Sequence, residues 1–345
     1  PIRFQVANAN GVSPPGMFVV GPMPEIAEDA TRKGAQVLPP LPVTVNGQIR
    51  LIEEVDRFEF VAPKSGPITV EICARKLGSP LYGLLKIHDD AGKLVLDIAD
   101  TEGRDIGAAF IARGGAKYIA SLHDLDFAGD RSYIYRLLLW PGPRVQAAYP
   151  AAGKRGQTQK IEFVGLGIAT GANQVEMVTR DVNFPAGDAA SFHYVLDTPV
   201  GPARPTKLLL TDLSEQVAAA KADNLELQTP CAITGAIESR FGSQHFRLSL
   251  KKGDKWRIAA QTDEIGSPLD LEMTLTSPEG KEVAMNDDAA GTTEPFATSR
   301  TAATATRPSH LTLEPTPSPP RPAPTATSQP SACLTGIERA GALAP

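Results

Sequence analysis

Cysteine is scarce, with three in 345 residues, too few for a disulfide framework. Cys73 and Cys231 read as small buried hydrophobes. No apolar run reaches the roughly 18 to 20 residues that span a bilayer. Basic residues are scattered, and 34 Lys and Arg against 39 Asp and Glu leave a net charge of -5. That excludes the concentrated positive surface nucleic acid requires. No G-x-S-x-G elbow, phosphate loop or dinucleotide fingerprint occurs. The five histidines, His88, His123, His193, His245 and His310, stand at no metal-ligand spacing with another His or Cys. His123-Asp124 has no serine partner that would make a triad. The chain is read as non-catalytic. Helical periodicity is also weak, its best candidate being a short linker helix within 212–223.

What the chain does contain is itself, twice. Pro42, Gly47, Ile49, Phe58, Gly78-Ser79-Pro80-Leu81, Gly92-Lys93 and Asp100 recur as Pro230, Gly235, Ile237, Phe246, Gly266-Ser267-Pro268-Leu269, Gly280-Lys281 and Asp288, at a constant spacing of 188 residues (230 − 42). A second repeat flanks the first, Gly11 to Glu25 laying over Gly201 to Glu215 at a spacing of 190 (201 − 11). Two different modules therefore alternate in a unit of about 190 residues. Cys73 faces Gln261 and Cys231 faces Val43 across the repeat, so neither belongs to the shared scaffold.

Period-two alternation dominates. Phe58 and Phe60 share one strand face and Arg57 and Glu59 the other; Ile68, Val70 and Ile72 alternate with Thr69, Glu71 and Cys73. With 30 Gly and 31 Pro marking many turns, the expected fold is all-β: tandem antiparallel β-sandwiches, jelly-roll-like modules alternating with Ig-like ones. The boundaries expected are the end of an Ig-like domain at 1–24, a sandwich at 36–141, an Ig-like sandwich at 142–214, an incomplete second sandwich at 229–295 and a low-complexity Pro/Thr/Ser/Ala tail at 296–345. The tail reads either as a disordered linker or as an out-of-frame replacement of the natural end, because Pro315, Pro317, Pro319, Pro320, Pro322 and Pro324 oppose a regular sheet. With no initiator Met and an opening half-domain, the chain is expected to be a fragment of a longer protein.

The motifs in order, Leu41-Pro42-Val43-Thr44-Val45-Asn46-Gly47-Gln48-Ile49, Val55-Asp56-Arg57-Phe58-Glu59-Phe60, Gly78-Ser79-Pro80-Leu81, the hairpin from Asp89 to Leu96, Gly115-Ala116-Lys117-Tyr118 and Tyr133-Ile134-Tyr135-Arg136-Leu137, resemble the bacterial pre-peptidase C-terminal (PPC) domain. The intervening module, beginning Tyr149-Pro150-Ala151-Ala152-Gly153, resembles the Ig-like or IPT-like domains that accompany it in secreted multi-domain proteins of planctomycete type. The resemblance implies a secreted, periplasmic or cell-surface location and a role in adhesion, spacing or substrate presentation. A C-terminal processing extension of a secreted peptidase is the alternative. It implies as partners an extracellular polymer, polysaccharide or fibrous protein, or an upstream catalytic domain. Related domains of clostridial collagenases bind collagen and calcium, the calcium ligands coming from an acidic linker motif with Glu, Asn and Asp. The corresponding segment here, Glu25-Ile26-Ala27-Glu28-Asp29-Ala30, lacks the Pro-Asn pair, and the second copy, Glu215-Gln216-Val217-Ala218, is poorer still.

The residues themselves offer one shared acidic feature. Asp89, Asp90, Asp97, Asp100 and Asp105 gather in or near turns of the first copy, and Asn286, Asp287 and Asp288 at the equivalent end of the second. Loop carboxylates suit Ca²⁺, and Asp and Asn equally favour turns without one. Tyr82, Tyr133 and Tyr135 are candidates for a ligand surface, with core packing as the other reading.

Overall fold

The computed structural model describes residues 2–13, 16–100, 105–218, 224–237, 242–249, 255–262, 265–267, 269, 271–286, 296–300, 308–315 and 331–339. Strand dominates, and no α-helix occurs among the described residues; a 3-10 turn spans Arg75–Leu77. Within 212–223, where a linker helix was expected, Ser214–Val217 is a strand paired in parallel with Cys231–Ala236, while 219–223 lie outside the described residues. The chain divides into two compact units. The first comprises Pro1–Arg144, Leu166–Glu176 and Leu196–Arg204, and the second Val145–Gly165, Met177–Val195 and Pro205–Pro345.

In the first unit, alternation converts directly into layers. One five-stranded sheet runs in the order Leu94–Ala99, Gly83–Asp89, Lys117–Asp124, Asp56–Val61, Gln36–Val37. The other runs Ile106–Ala112, Gly66–Cys73, Ile134–Trp140, Val43–Gln48, Glu25–Ala27. Phe58, Phe60, Leu85 and Ile87 from the first sheet and Val45, Val70, Ile72 and Leu137 from the second form one buried core. Apart from the hairpin of Gly83–Asp89 with Leu94–Ala99, the paired strands are not consecutive in sequence, and the short strands Glu25–Ala27 and Gln36–Val37 pair in parallel at the edges. Phe58 is 1% exposed. Phe58→Ala is expected to cost about 3 to 5 kcal/mol, read by denaturation through Trp140 in a Trp256→Phe background; a loss below about 1 kcal/mol would contradict a single shared core.

In the second unit the 188-residue repeat holds in three dimensions. Cys231–Ala236, Gln244–Ser249, Lys255–Gln261, Leu271–Thr276 and Glu282–Asn286 take the places of Val43–Gln48, Asp56–Val61, Gly66–Cys73, Gly83–Asp89 and Leu94–Ala99. Even single hydrogen bonds repeat. The Gly92 N–H donates to the Asp89 carbonyl and the Gly280 N–H to the Ser277 carbonyl, with φ of 77° and 79° at the two glycines, a left-handed turn position glycine takes without steric cost.

The tail departs from expectation. Phe296–Arg300, Pro308–Pro315 and Ser331–Arg339 are strands that complete the second pair of sheets. They stand where Ile106–Ala112, Lys117–Asp124 and Ile134–Trp140 stand in the first copy, so the module does not end at 295. The proline argument fails on position. Pro308 and Pro315 occupy the two ends of a strand, where a missing N–H is tolerated, and the dense prolines fall in 316–330, outside the described residues. The second unit also contains Ser191–Tyr194 antiparallel to Thr206–Thr211, with Ala152–Lys154 parallel to the latter.

Candidate metal centre

Among the described residues, the acidic side chains singled out from the sequence do not gather as one cluster. Asp89 Oδ1 accepts the N–H groups of Ala91 and Lys93 at 3.0 and 2.9 Å. At the equivalent turn Ser277 Oγ accepts the Lys281 N–H at 3.3 Å. A hydroxyl thus does the same work, so Asp89 shapes its turn. Asp90 is ion-paired to Arg113 at 2.9 Å and Asp97 to Lys86 at 3.9 Å. Asp100 is buried and accepts the Asp105 N–H at 3.1 Å, while Asp105 accepts the backbone N–H groups of Ala74, Arg75 and Lys76. Asn286 ends a strand opposite Met273; Asp287 and Asp288 lie outside the described residues.

The tyrosines divide. Tyr82 is 37% exposed with the Arg75 guanidinium 4.4 Å from its ring centroid, an arrangement that favours a cation on the ring face. Tyr133 packs partly buried against the core. Tyr135 is 1% exposed and belongs to the core, which removes it from any ligand surface. It follows the parity of Leu137 and Leu139, the inward residues of its strand.

The structure instead gathers Glu28, Glu54 and Asp56, whose carboxylate oxygens lie within 4.8 Å of one another. Each arrives from a different segment. The edge strand Glu25–Ala27 continues one step further as the Glu28 N–H donates to the Asn46 carbonyl at 2.9 Å, and Glu28 Oε2 accepts the Gln48 N–H at 2.9 Å. Glu54 closes the turn 51–54: its N–H meets the Leu51 carbonyl at 3.2 Å, and its Oε2 accepts the N–H groups of Leu51, at 2.7 Å, and Arg50. Asp56 begins the strand Asp56–Val61 and, sharing parity with Phe58 and Phe60, points inward at 7% exposure. Its Oδ2 accepts the Tyr135 hydroxyl at 2.5 Å. Gly47, opposite Tyr135, makes room: a Cβ there would fall 2.3 Å from the Tyr135 hydroxyl.

A carboxyl buried beside other carboxylates is held back from ionising. Burial pushes the Asp56 carboxyl up to about 7, with Glu28 and Glu54 adding to the rise against the Tyr135 hydrogen bond. Burial also raises Glu28, opposed by the Gln48 N–H, and burial, then the Asp56 charge, holds the Tyr135 phenol well above its ordinary value. Glu28 and Asp56 stand close enough to influence each other, lowering Glu28 and raising Asp56, an arrangement that favours a proton on Asp56. A cation at the same place would supply the missing positive charge. Glu28 Oε1, Glu54 Oε1 and Asp56 Oδ1 are the oxygens not engaged by the backbone or by Tyr135. A set of hard oxygens without His or Cys fits Ca²⁺ or Mg²⁺ and not zinc. The cluster lines a cleft of about 250 Å³ that also takes in Asp29, Arg32 and Arg57.

The cluster belongs to the first copy alone. The Ala218 N–H donates to the Thr234 carbonyl as that of Glu28 does to Asn46, so Ala218 stands for Glu28. Gly242 and Gln244 stand for Glu54 and Asp56.

No family model matches the chain, and no curated protein matches it. Among solved structures, the pre-peptidase C-terminal domain of a collagenase from Bacillus anthracis is similar at 16% identity over 31% of this chain and 96% of that one, with a TM-score of 0.26. The M60 catalytic domain with two CBM51 domains of Clostridium perfringens ZmpB is similar at 8% identity over 83% of this chain and 33% of that one, TM-score 0.21. The CBM22 tandem of Paenibacillus barcinonensis Xyn10C matches at 10% identity over 84% of each chain, TM-score 0.20. The chain thus spans about a third of the Clostridium structure.

Proposed function

We propose that the chain is a non-catalytic part of a larger secreted bacterial protein. It alternates PPC-like and Ig-like β-sandwiches, and serves adhesion, spacing or substrate presentation at the cell surface. The observation that carries the reading is the Glu28–Glu54–Asp56 cluster, which ties the strand entering the first PPC-like module to that module's body. A divalent cation there, Ca²⁺ by its donor set, stiffens the entry segment, which is what a spacer or presenting arm needs. Glu28, Glu54 and Asp56 would hold the ion, and Tyr135 would orient Asp56. The histidines support no catalytic arrangement: His123 is buried, its Nδ1 2.7 Å from the Asp124 carbonyl and its ring stacked on Phe127. The test is retention of the chain on immobilised collagen, polysaccharides and cell-wall material in Ca²⁺ and in chelator, beside protease and glycosidase assays. Calcium-dependent retention without turnover is expected. Turnover by the purified chain would overturn the reading, and loss of all retention would leave spacing and remove adhesion.

A further inference from the structure

The hairpin at the start of the chain and the one at 191–211 are the same structure in the same register. Ile2 pairs with Phe18 and Phe4 with Gly16, as Phe192 pairs with Leu208 and Tyr194 with Thr206. Beyond them, Ala7 pairs with Val12 and Asn8 with Gly11, as Asp197 pairs with Pro202 and Thr198 with Gly201. The Ser13 N–H donates to the Val6 carbonyl as the Ala203 N–H does to that of Leu196. Each correspondence carries the 190-residue spacing.

What differs is the cover. Phe192 meets Phe184 edge-on at 5.4 Å and Tyr194 stacks on Phe163 at 5.3 Å, and Phe163, Phe184 and Leu196 are each 0% exposed. Phe192 and Tyr194 are half-buried, whereas the residues that match Phe192, Tyr194 and Leu196 at the start of the chain, Ile2, Phe4 and Val6, are 56, 48 and 61% exposed. Neighbouring exposed apolar side chains on one face of a hairpin mark an interaction surface. The hairpin is held ready at its exit, where the Arg136 guanidinium donates to the Val19 carbonyl at 3.1 Å and to Glu25.

We propose that the face of Ile2, Phe4 and Val6 is a docking surface for an Ig-type strand set of the make of Val145–Asn183, one that presents two inward phenylalanines at the places of Phe163 and Phe184. Such a partner returns to Ile2 and Phe4 the aromatic contacts their counterparts have, and completes a second two-layered module.

The test places a copy of Val145–Ala190 directly before Pro1, so that Pro1 follows it as Ser191 follows Ala190. Hydrogen exchange at Ile2–Phe4 and Met17–Phe18 is expected to slow about 100-fold, and Asp at the places of Phe163 and Phe184 in the added copy alone should restore the fast rate. The hairpin at 191–211 serves as the folded reference in every variant. Unchanged exchange at 2–18 beside a protected reference would overturn the proposal. So would a dimer of the unextended chain, seen by sedimentation, that Phe4→Asp turns into monomer, because the face would then take a second copy. Neither result depends on the cation or polymer assays.

Discussion

Calcium at about one hundred times its dissociation constant is expected to stabilise the first unit by about 2.7 kcal/mol, and Asp56→Asn to abolish that gain. The same variant should change the pH dependence in a fixed direction. In the folded chain the Asp56 carboxyl is raised to about 7, whereas in the unfolded chain it returns to the ordinary aspartate range near 3.9. Between these values the folded state keeps a proton the unfolded state has lost. Stability is therefore full below about pH 4 and falls as pH rises to about 7. Calcium removes that fall by supplying positive charge to the ionised carboxylates. Asparagine removes it because an amide neither ionises nor needs neutralising. Denaturation of the Trp256→Phe chain between pH 4 and 8, with Ca²⁺ or chelator, reads all four cases through Trp140. A wild-type slope indifferent to calcium would refute the cation reading and leave Asp56 as a protonated core residue. Mg²⁺ in parallel shows whether the site is selective, since Mg²⁺ demands stricter geometry.

The all-β character was legible because two signals agreed. Period-two alternation turned Phe58 and Phe60 to one inward face, and the 188-residue repeat marked Phe246 as the counterpart of Phe58, both of them buried; the order of the strands within each sheet was not legible, because it rests on pairings between segments far apart in the chain. The tail strands escaped because the composition of 296–345 was weighed as a whole, whereas a proline's effect depends on where in a strand it falls. The site was half legible. The alternation that turns Phe58 and Phe60 inward also turns Asp56 inward, and an acidic side chain on a core face needs a partner. Glu28 and Glu54 could not be joined to it from sequence, since one comes from an edge strand and the other from a turn closed on its own backbone. Recurrence between copies then misdirected the choice. It favoured the acidic turn near Asp100 and Asp288, which recurs, over Glu28 and Asp56, which the second copy replaces with Ala218 and Gln244. A repeated scaffold preserves what folds it, and a site confined to one copy is invisible to a comparison that rewards sameness.

Glu25 and Glu215 give the sharpest contrast between the copies, and their amide variants are expected to move stability in opposite directions. Both lie on the edge strand that enters a module, Glu25 opposite Thr44 and Glu215 opposite Ala232. Glu25 accepts from Asn46 at 3.1 Å and is ion-paired with Arg136, whose side chain is 13% exposed. Removing the carboxylate charge leaves that guanidinium without its charge partner, so Glu25→Gln should cost about 1.5 to 3 kcal/mol in the first unit. Glu215 keeps the bond to the neighbouring strand, its Oε1 accepting from the Thr234 hydroxyl at 2.7 Å where Glu25 accepts from the Asn46 amide. The arginine is gone: Cys333 holds the register position opposite Thr234 that Arg136 holds opposite Asn46. Glu215 Oε2 is buried without a hydrogen-bond partner, and burial raises the carboxyl to about 7, against the Thr234 hydrogen bond. The folded second unit therefore retains a proton that the unfolded chain loses near pH 4.5, and its stability declines from there to about pH 7. Glu215→Gln removes the decline and should gain about 1 to 2 kcal/mol at pH 8, each pKa unit being worth about 1.4 kcal/mol before screening by nearby solvent. Trp256 in a Trp140→Phe background reports the second unit and Trp140 in the Trp256→Phe background the first. Equal losses from both variants would mean that Glu215 is paired in solution, and the loss of the arginine partner would then have no energetic consequence.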